Sequence, residues 1–286
     1  MAETAFQIQY RQEFISGFEQ LQSLLRGFTT TEAVIKGNQA TFLVADSGGA
    51  TAKTRGVNGL IPARGDNLSQ PVATLVEWHD LVRKTDFNIF ASQGNQRAIM
   101  QKTSMGVINR KIDQDVIGEL ATTTVNIGAA VVANTLRTLR AKTVLGNNDV
   151  PWDGNITFIV TPAYEAYMMG ENDFSSRDFT MNGPFDNADP AWRDRPQSYR
   201  WLGINWCVHP NLTGGGGPGS STEETYMFHK SAIGHAYNAD DLEAKAGYDE
   251  EQDYSWFRTS IYMGSQLLQN SGVVIVAHDG SALAAA

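Results

Sequence analysis

Residues 40 to 57 constrain this chain more than any other stretch, because they read as strand, turn, strand ahead of the first strong helical pattern. The order is Ala40-Thr-Phe-Leu-Val-Ala-Asp46, Ser47-Gly-Gly-Ala50, then Thr51-Ala-Lys-Thr-Arg-Gly-Val57. Ser-Gly-Gly marks a tight reversal, since glycine supplies the positive φ that such turns need. A lone two-stranded hairpin is marginal in water, and here a polar, Gly-rich stretch from Asn58 to Gln70 follows before apolar residues resume. The hairpin is therefore expected to project from the body and to find its stabilising contacts on another copy of the chain. That is the behaviour of an assembly component.

At 286 residues with 42% apolar content the chain can bury one large or two modest cores. No segment reaches the roughly 18 consecutive apolar residues of a membrane helix, and Met1–Tyr10 lacks the basic-then-apolar order of a signal peptide. A soluble, non-secreted protein is expected, so the Asn-X-Thr triplets at Asn155 and Asn211 carry little weight. The single cysteine, Cys207, rules out an internal disulfide and sits in the apolar context Gly-Ile-Asn-Trp-Cys-Val as a small core residue. With 22 basic against 31 acidic residues the net charge is −9, which excludes a general polyanion binder. The short basic clusters Arg83-Lys84, Arg110-Lys111 and Arg137 to Lys142 suit a solvated face or an interface pair.

Along the chain, residues 6 to 28 begin as an alternating segment and continue at helical spacing, with the stripe Phe14, Phe18, Leu21 and Leu25 in need of a partner surface. From Pro71 the pattern is strand-like. Residues 96 to 121 carry the longest expected helix, with Ile99, Met105, Ile108, Ile112, Val116 and Leu120 as its apolar positions. A second helix is expected over 127 to 142, with Arg137, Arg140 and Lys142 at its C-terminal, negative end. Asn155-Ile-Thr-Phe-Ile-Val-Thr161 reads as a buried strand and Pro162 opens a helix. Residues 171 to 198 read as a surface insertion, Trp201–His209 and Tyr226–Ala236 as strands, Asp241–Tyr248 and Asp253–Tyr262 as a second hairpin around acidic residues, and Gly272–Ala277 as a closing strand.

Catalytic patterns are weak. Gly214 to Gly219 lacks the Gly-Lys-Ser/Thr ending and following helix of a phosphate loop. His229 and His235, six apart, share neither a helical face nor a local carboxylate, and no His-Glu-X-X-His occurs. Asp186-Asn-Ala-Asp189 lacks the oxygen spacing of a calcium loop, Arg64-Gly-Asp66 is a chance loop triplet, and no Gly-X-Ser-X-Gly elbow is present. Asp249, Glu250, Glu251 and Asp253 read as a solvated turn or as acids meeting a partner's arginines. No catalytic, cofactor or metal residue is assigned.

The order of arm, hairpin, strand, long helix, α/β region, acidic hairpin and final strand resembles the Hong Kong 97-type (HK97-fold) major capsid protein of tailed bacteriophages. Arg110-Lys-Ile-Asp-Gln-Asp-Val-Ile117 resembles that family's spine helix, and Phe158-Ile-Val-Thr-Pro-Ala-Tyr164 its strand-to-helix entry. Trp201-Leu-Gly-Ile-Asn-Trp206 resembles the strand after the insertion, and Asp253-Tyr-Ser-Trp-Phe-Arg-Thr-Ser-Ile-Tyr-Met-Gly264 the strand returning from the peripheral domain. The resemblance implies an α+β capsid fold. It assigns 1–35 to an N-terminal arm, 36–76 to an extended loop, 77–126 and 240–262 to a peripheral domain, and 127–239 and 263–286 to an axial domain.

The resemblance further implies a non-enzymatic virion protein, assembled in the host bacterial cytoplasm, that forms hexamers and pentamers of itself in an icosahedral head shell. Its implied partners are a separate scaffolding protein, a portal protein, decoration proteins and packaged double-stranded DNA held without sequence-specific contacts, with no membrane. The expected inter-subunit residues are Phe14, Phe18, Leu21 and Leu25 on the arm, Phe42, Val44, Lys53 and Arg55 on the loop, and Arg110 and Lys111 meeting acids such as Asp249, Glu250 and Glu251. The founding member cross-links subunits through a loop lysine. Lys53 lies near the hairpin tip here, but no pattern identifies an asparagine acceptor or a catalytic glutamate. An encapsulin-like nanocompartment shell shares the fold, and a metal-dependent hydrolase on the α/β region is the reading from another class.

Overall fold

The computed structural model describes residues 22–31, 34–91, 96–175, 198–210, 212, 220–238 and 243–281. The arm positions Phe14, Phe18 and Leu21, most of the 171–198 insertion and the glycine-rich loop lie outside them. In chain order the elements are β1 (Val34–Lys36), β2 (Gln39–Thr41), β3 (Val44–Asp46), β4 (Asn67–Ser69), β5 (Val72–Thr74), β6 (Val76–Thr85), α1 (Asp86–Ala91) and α2 (Gln96–Leu120). There follow α3 (Thr135–Asn147), β7 (Ile156–Val160), α4 (Pro162–Met169), α5 (Asn172–Ser175), β8 (Ser198–Trp201) and β9 (Ile204–Val208). Then come β10 (Glu223–His229), β11 (Ile233–Tyr237), β12 (Glu243–Asp249), β13 (Tyr254–Leu267) and β14 (Val273–His278).

The chain divides into two compact units. The larger takes in Leu24–Val76, Ile112–Tyr237 and Met263–Ala286, and the smaller includes Glu77–Lys111 and Asn238–Tyr262. The larger is built on a five-stranded sheet of order β14-β10-β7-β9-β8, in which β7 and β9 are parallel and the other pairs antiparallel. Every residue of β7 is buried, because both faces of the sheet are covered. Phe158, Trp206, Met227 and Val276 point to one face, where they pack with Leu145 of α3 and Tyr164 of α4. Their neighbours Ile159, Cys207, Tyr226 and Phe228 point to the other, against Leu25, Phe28, Val116, Ile117 and Leu120. The period of two is thus present in the strands but hidden from a reading that expects one wet face.

Local signals fix the helix starts. The Thr161 hydroxyl accepts from Tyr164 N–H at 3.2 Å with proline at the next position, and the Asn134 side chain accepts from Arg137 N–H at 2.8 Å. The second helix therefore runs 135–147, not 127–142. Residues 125–131 instead lie along β14, with Ile275 N–H donating to Val125 O and Asp279 N–H to Val131 O. Arg137 consequently falls in the first turn, where its guanidinium donates to the Ala129 and Ala277 carbonyls and offers nothing to the helix C-terminus. Trp201–His209 is likewise not one strand: Leu202 and Gly203, at φ 52° and 75°, form a two-residue hairpin between β8 and β9.

In the smaller unit, β12 and β6 both pair with β13, and Met100, Ile108, Phe257 and Ile261 are buried. Met105, expected in the apolar stripe of α2, is 54% exposed; the inward position is taken by Ser104, whose hydroxyl bonds Thr259 Oγ1 at 3.1 Å. A buried hydroxyl at a core position is tolerated because it is paired.

Candidate assembly interface

The extended loop starts from an anchored base. β1 and β2 form a hairpin around Gly37 (φ 61°), β2 pairs with β5, and Ala40, Phe42, Ala73 and Ala236 form a small buried cluster. Phe42 is only 2% exposed, and its ring lies so close to Gly234 that a Cβ there would come within 2.6 Å of it. Phe42 is therefore a core residue of its own subunit and not the interface side chain expected from sequence. Glycine is required at position 234 for that close approach.

Beyond Phe42 the chain leaves the core. β3 pairs with β4 in the register Val44↔Ser69, Ala45↔Leu68, Asp46↔Asn67, so the strand facing Val44–Asp46 comes from residues 67–69 and not from 51–57. The Ser47–Ala50 turn does form, with Gly48 and Gly49 at positive φ and Ala50 N–H donating to Ser47 O at 3.1 Å. Asp46 Oδ1 accepts from Asn67 Nδ2 at 3.0 Å and from Gly48 N–H at 2.5 Å, which holds its carboxyl below the usual range. Residues 51–66 carry no strand or helix and are held by contacts such as Gly56 N–H to Leu60 O at 3.0 Å.

This loop bears an apolar crest in water. Leu60 is 74% exposed and Ile61 and Leu43 69%, with Val57 fully exposed and Leu68 close behind. Val44 is half-buried, whereas Lys53 and Arg55 are exposed beside the crest, and Arg64 pairs with Asp66 at 2.7 Å. Leu60, Ile61 and Leu68 give no periodic signal in the sequence, because they sit singly or in pairs among polar residues. The available signal was Leu60-Ile61 before Pro62, an apolar pair with no periodic partner.

The other expected positions are dispersed. Leu25 is fully buried, and the Leu24 and Leu25 N–H groups donate to the two Asp113 oxygens at 3.1 and 3.2 Å. Arg110 is half-buried, and Lys111 Nζ lies 3.8 Å over the Trp78 ring, a cation–π contact inside the smaller unit. Asp249 Oδ1 accepts from Glu251 and Gln252 N–H at 3.0 Å each, so Asp249 shapes its own turn and its carboxyl is held low, while Glu250 and Glu251 face solvent. Tyr248 donates to Asp253 at 2.5 Å, which pushes its hydroxyl up to about 12.

The titratable clusters seal rather than open. His209 Nε2 lies 3.1 Å from Asp113, both fully buried. His278 Nε2 lies 2.8 Å from Glu223, which also accepts from Thr161 at 2.6 Å, and burial holds His278 below its ordinary value despite the carboxylate. His229 joins Asp153 at 3.0 Å and Ser231 at 2.7 Å, but Ser231 N–H also donates to His229, so the group caps the turn at Lys230–Ala232. Asp153 is drawn down to about 2, chiefly by Asn155. Among the described residues no three His, Cys, Asp or Glu side chains gather into a metal site.

The phage capsid protein family model matches residues 2–280. No curated protein matches significantly. Three solved structures share the fold over nearly the whole chain. They are a Mycobacterium phage Che8 chain (TM-score 0.71, 14% identity, 98% of this chain and 99% of that one), a native GTA particle capsid (0.72, 11%, 96% and 96%) and the cyanophage P-SCSP1u capsid (0.69, 14%, 96% and 93%). With that family model spanning almost the whole chain and the mixed α+β architecture shared with those phage capsid structures, the chain belongs to the phage capsid protein family, as a structural, Hong Kong 97-type major capsid protein of the virion head shell.

Proposed function

We propose that the loop Leu43–Gln70 is the inter-subunit clasp of this shell, burying its crest on a second copy within hexamers and pentamers. The observation that carries this is the exposure of Leu43, Val57, Leu60, Ile61 and Leu68 on a segment whose own pairing is a three-residue ladder. Each large apolar side chain moved out of water gains about 1.5–3 kcal/mol, so a clasp of five is worth forming. Scaffolding and portal proteins direct assembly, decoration proteins bind the finished surface, and the acidic chain encloses double-stranded DNA without gripping it. Replacing both Leu60 and Ile61 by aspartate should leave the melting temperature of the subunit nearly unchanged while closed shells disappear from electron micrographs. Normal shells from that variant would refute the clasp. Nuclease-protected duplex DNA in wild-type shells tests the cargo.

A further inference from the structure

In the larger unit the segment Leu24–Thr30 is held at both ends, Leu24 and Leu25 N–H by Asp113 of α2 and Thr30 by β11, where its bonds fall on either side of Gly234. Thr30 bridges Gly234 in parallel, its N–H donating to Ile233 O at 3.0 Å and its carbonyl accepting from His235 N–H at 2.8 Å. Its hydroxyl donates to Lys230 O at 2.9 Å, and Arg26 lies 3.9 Å over the Tyr237 ring. The side chain of His235 is fully buried.

Its hydrogen bonds fix its tautomer. Ser265 Oγ lies 2.7 Å from Asp115 Oδ2 and 2.9 Å from His235 Nδ1. The hydroxyl has one proton and a carboxylate can only accept, so Ser265 donates to Asp115 and His235 donates from Nδ1 to Ser265. That leaves Nε2 as a bare lone pair, buried without a hydrogen-bond partner. Protonating Nε2 in place would bury an N–H with no acceptor and add a positive charge facing Arg26. Asp115 and Asp113 of α2 oppose this, yet burial outweighs them and holds the imidazole below its ordinary value.

We propose that His235 is a proton-sensitive latch: it takes up a proton at Nε2 only as Leu24–Thr30 leaves β11, so the root of the N-terminal arm is fastened at neutral pH and freed in mild acid. The sign follows from linkage. The opened state binds a proton with the ordinary value near 6.5 and the closed state only below it, so closure is fully stabilised above about pH 6.5 and weakens as pH falls beneath that. The latch is a property of one subunit and does not rest on the clasp proposed for Leu43–Gln70.

Hydrogen–deuterium exchange of the full-length protein at pH 7 and pH 5, corrected for intrinsic rates, tests it. Protection of the peptide over residues 24–31 should fall on the order of tenfold between the two, while residues 156–160 of β7 stay protected. In His235→Asn, which keeps an N–H toward Ser265 but takes up no proton, that pH dependence should vanish. Unchanged protection in the wild type, or an equal loss in the variant, would overturn the latch. Exchange at the imidazole C2 position reads the same group without substitution: slow exchange with a midpoint below the ordinary value is expected, and fast exchange with an ordinary midpoint would sink the proposal.

Discussion

At the scale of single residues, two positions carry more than their chemistry suggests. Phe42 looks like a hairpin residue in sequence, but its ring fills the space that Gly234 leaves and closes the cluster with Ala40, Ala73 and Ala236. Phe42→Ala should cost about 3–5 kcal/mol, as for other large-to-alanine changes in cores, read as a lower denaturation midpoint of the subunit. A change near zero would return Phe42 to the interface. Asp113 is the second: one buried carboxylate accepts from Leu24 N–H and Leu25 N–H and sits 3.1 Å from His209, so a single side chain ties Leu24–Leu25 to α2.

At the scale of elements, the extended loop separates cleanly into base and projection. Phe42 N–H donates to Pro71 O at 3.0 Å, so the two ends of the projection are adjacent in space. A short Gly-Ser linker in place of 44–69 can close that gap without touching the buried cluster, and long surface insertions cost little entropy to remove or add. Far-UV circular dichroism and thermal melting should be retained, and electron microscopy should show no closed shells. A replacement that begins at residue 42 would instead remove a core side chain and confuse loss of folding with loss of assembly. The displaced α3 makes the same point about elements: Asn134 caps the helix, and the apolar residues before it serve the edge of β14.

At the scale of the whole molecule, charge sets what the shell can do. A net charge of −9 gives the subunit no reason to hold duplex DNA, which fits the proposed cargo, since a wall that bound phosphates would impede packaging and ejection. DNA affinity of the free subunit should stay in the non-specific range of roughly 10⁻⁴ to 10⁻⁶ M at physiological salt, measured by fluorescence anisotropy. Glu250→Lys with Glu251→Lys should lower shell yield more than it raises DNA affinity, since both carboxylates face solvent at an exposed turn. Submicromolar, steeply salt-dependent binding by the wild type would contradict this.

Sequence alone determined the features governed by local physics: the 25-residue α2, the buried β7 run, the proline-led start of α4, the Ser47–Ala50 turn and the acidic turn after β12. Their order along the chain was enough to place it in its capsid family. Only the tertiary structure decided pairing and facing, because a strand's partner and a side chain's burial depend on residues far away in sequence. Thus β4 and not residues 51–57 pairs with β3, Ser104 and not Met105 faces the core, and Phe42 turns inward while Leu60 and Ile61 turn out. The tautomer of His235 is the limiting case: it follows from Ser265 and Asp115, which sequence places 150 residues apart and only the fold brings to within 2.7 Å.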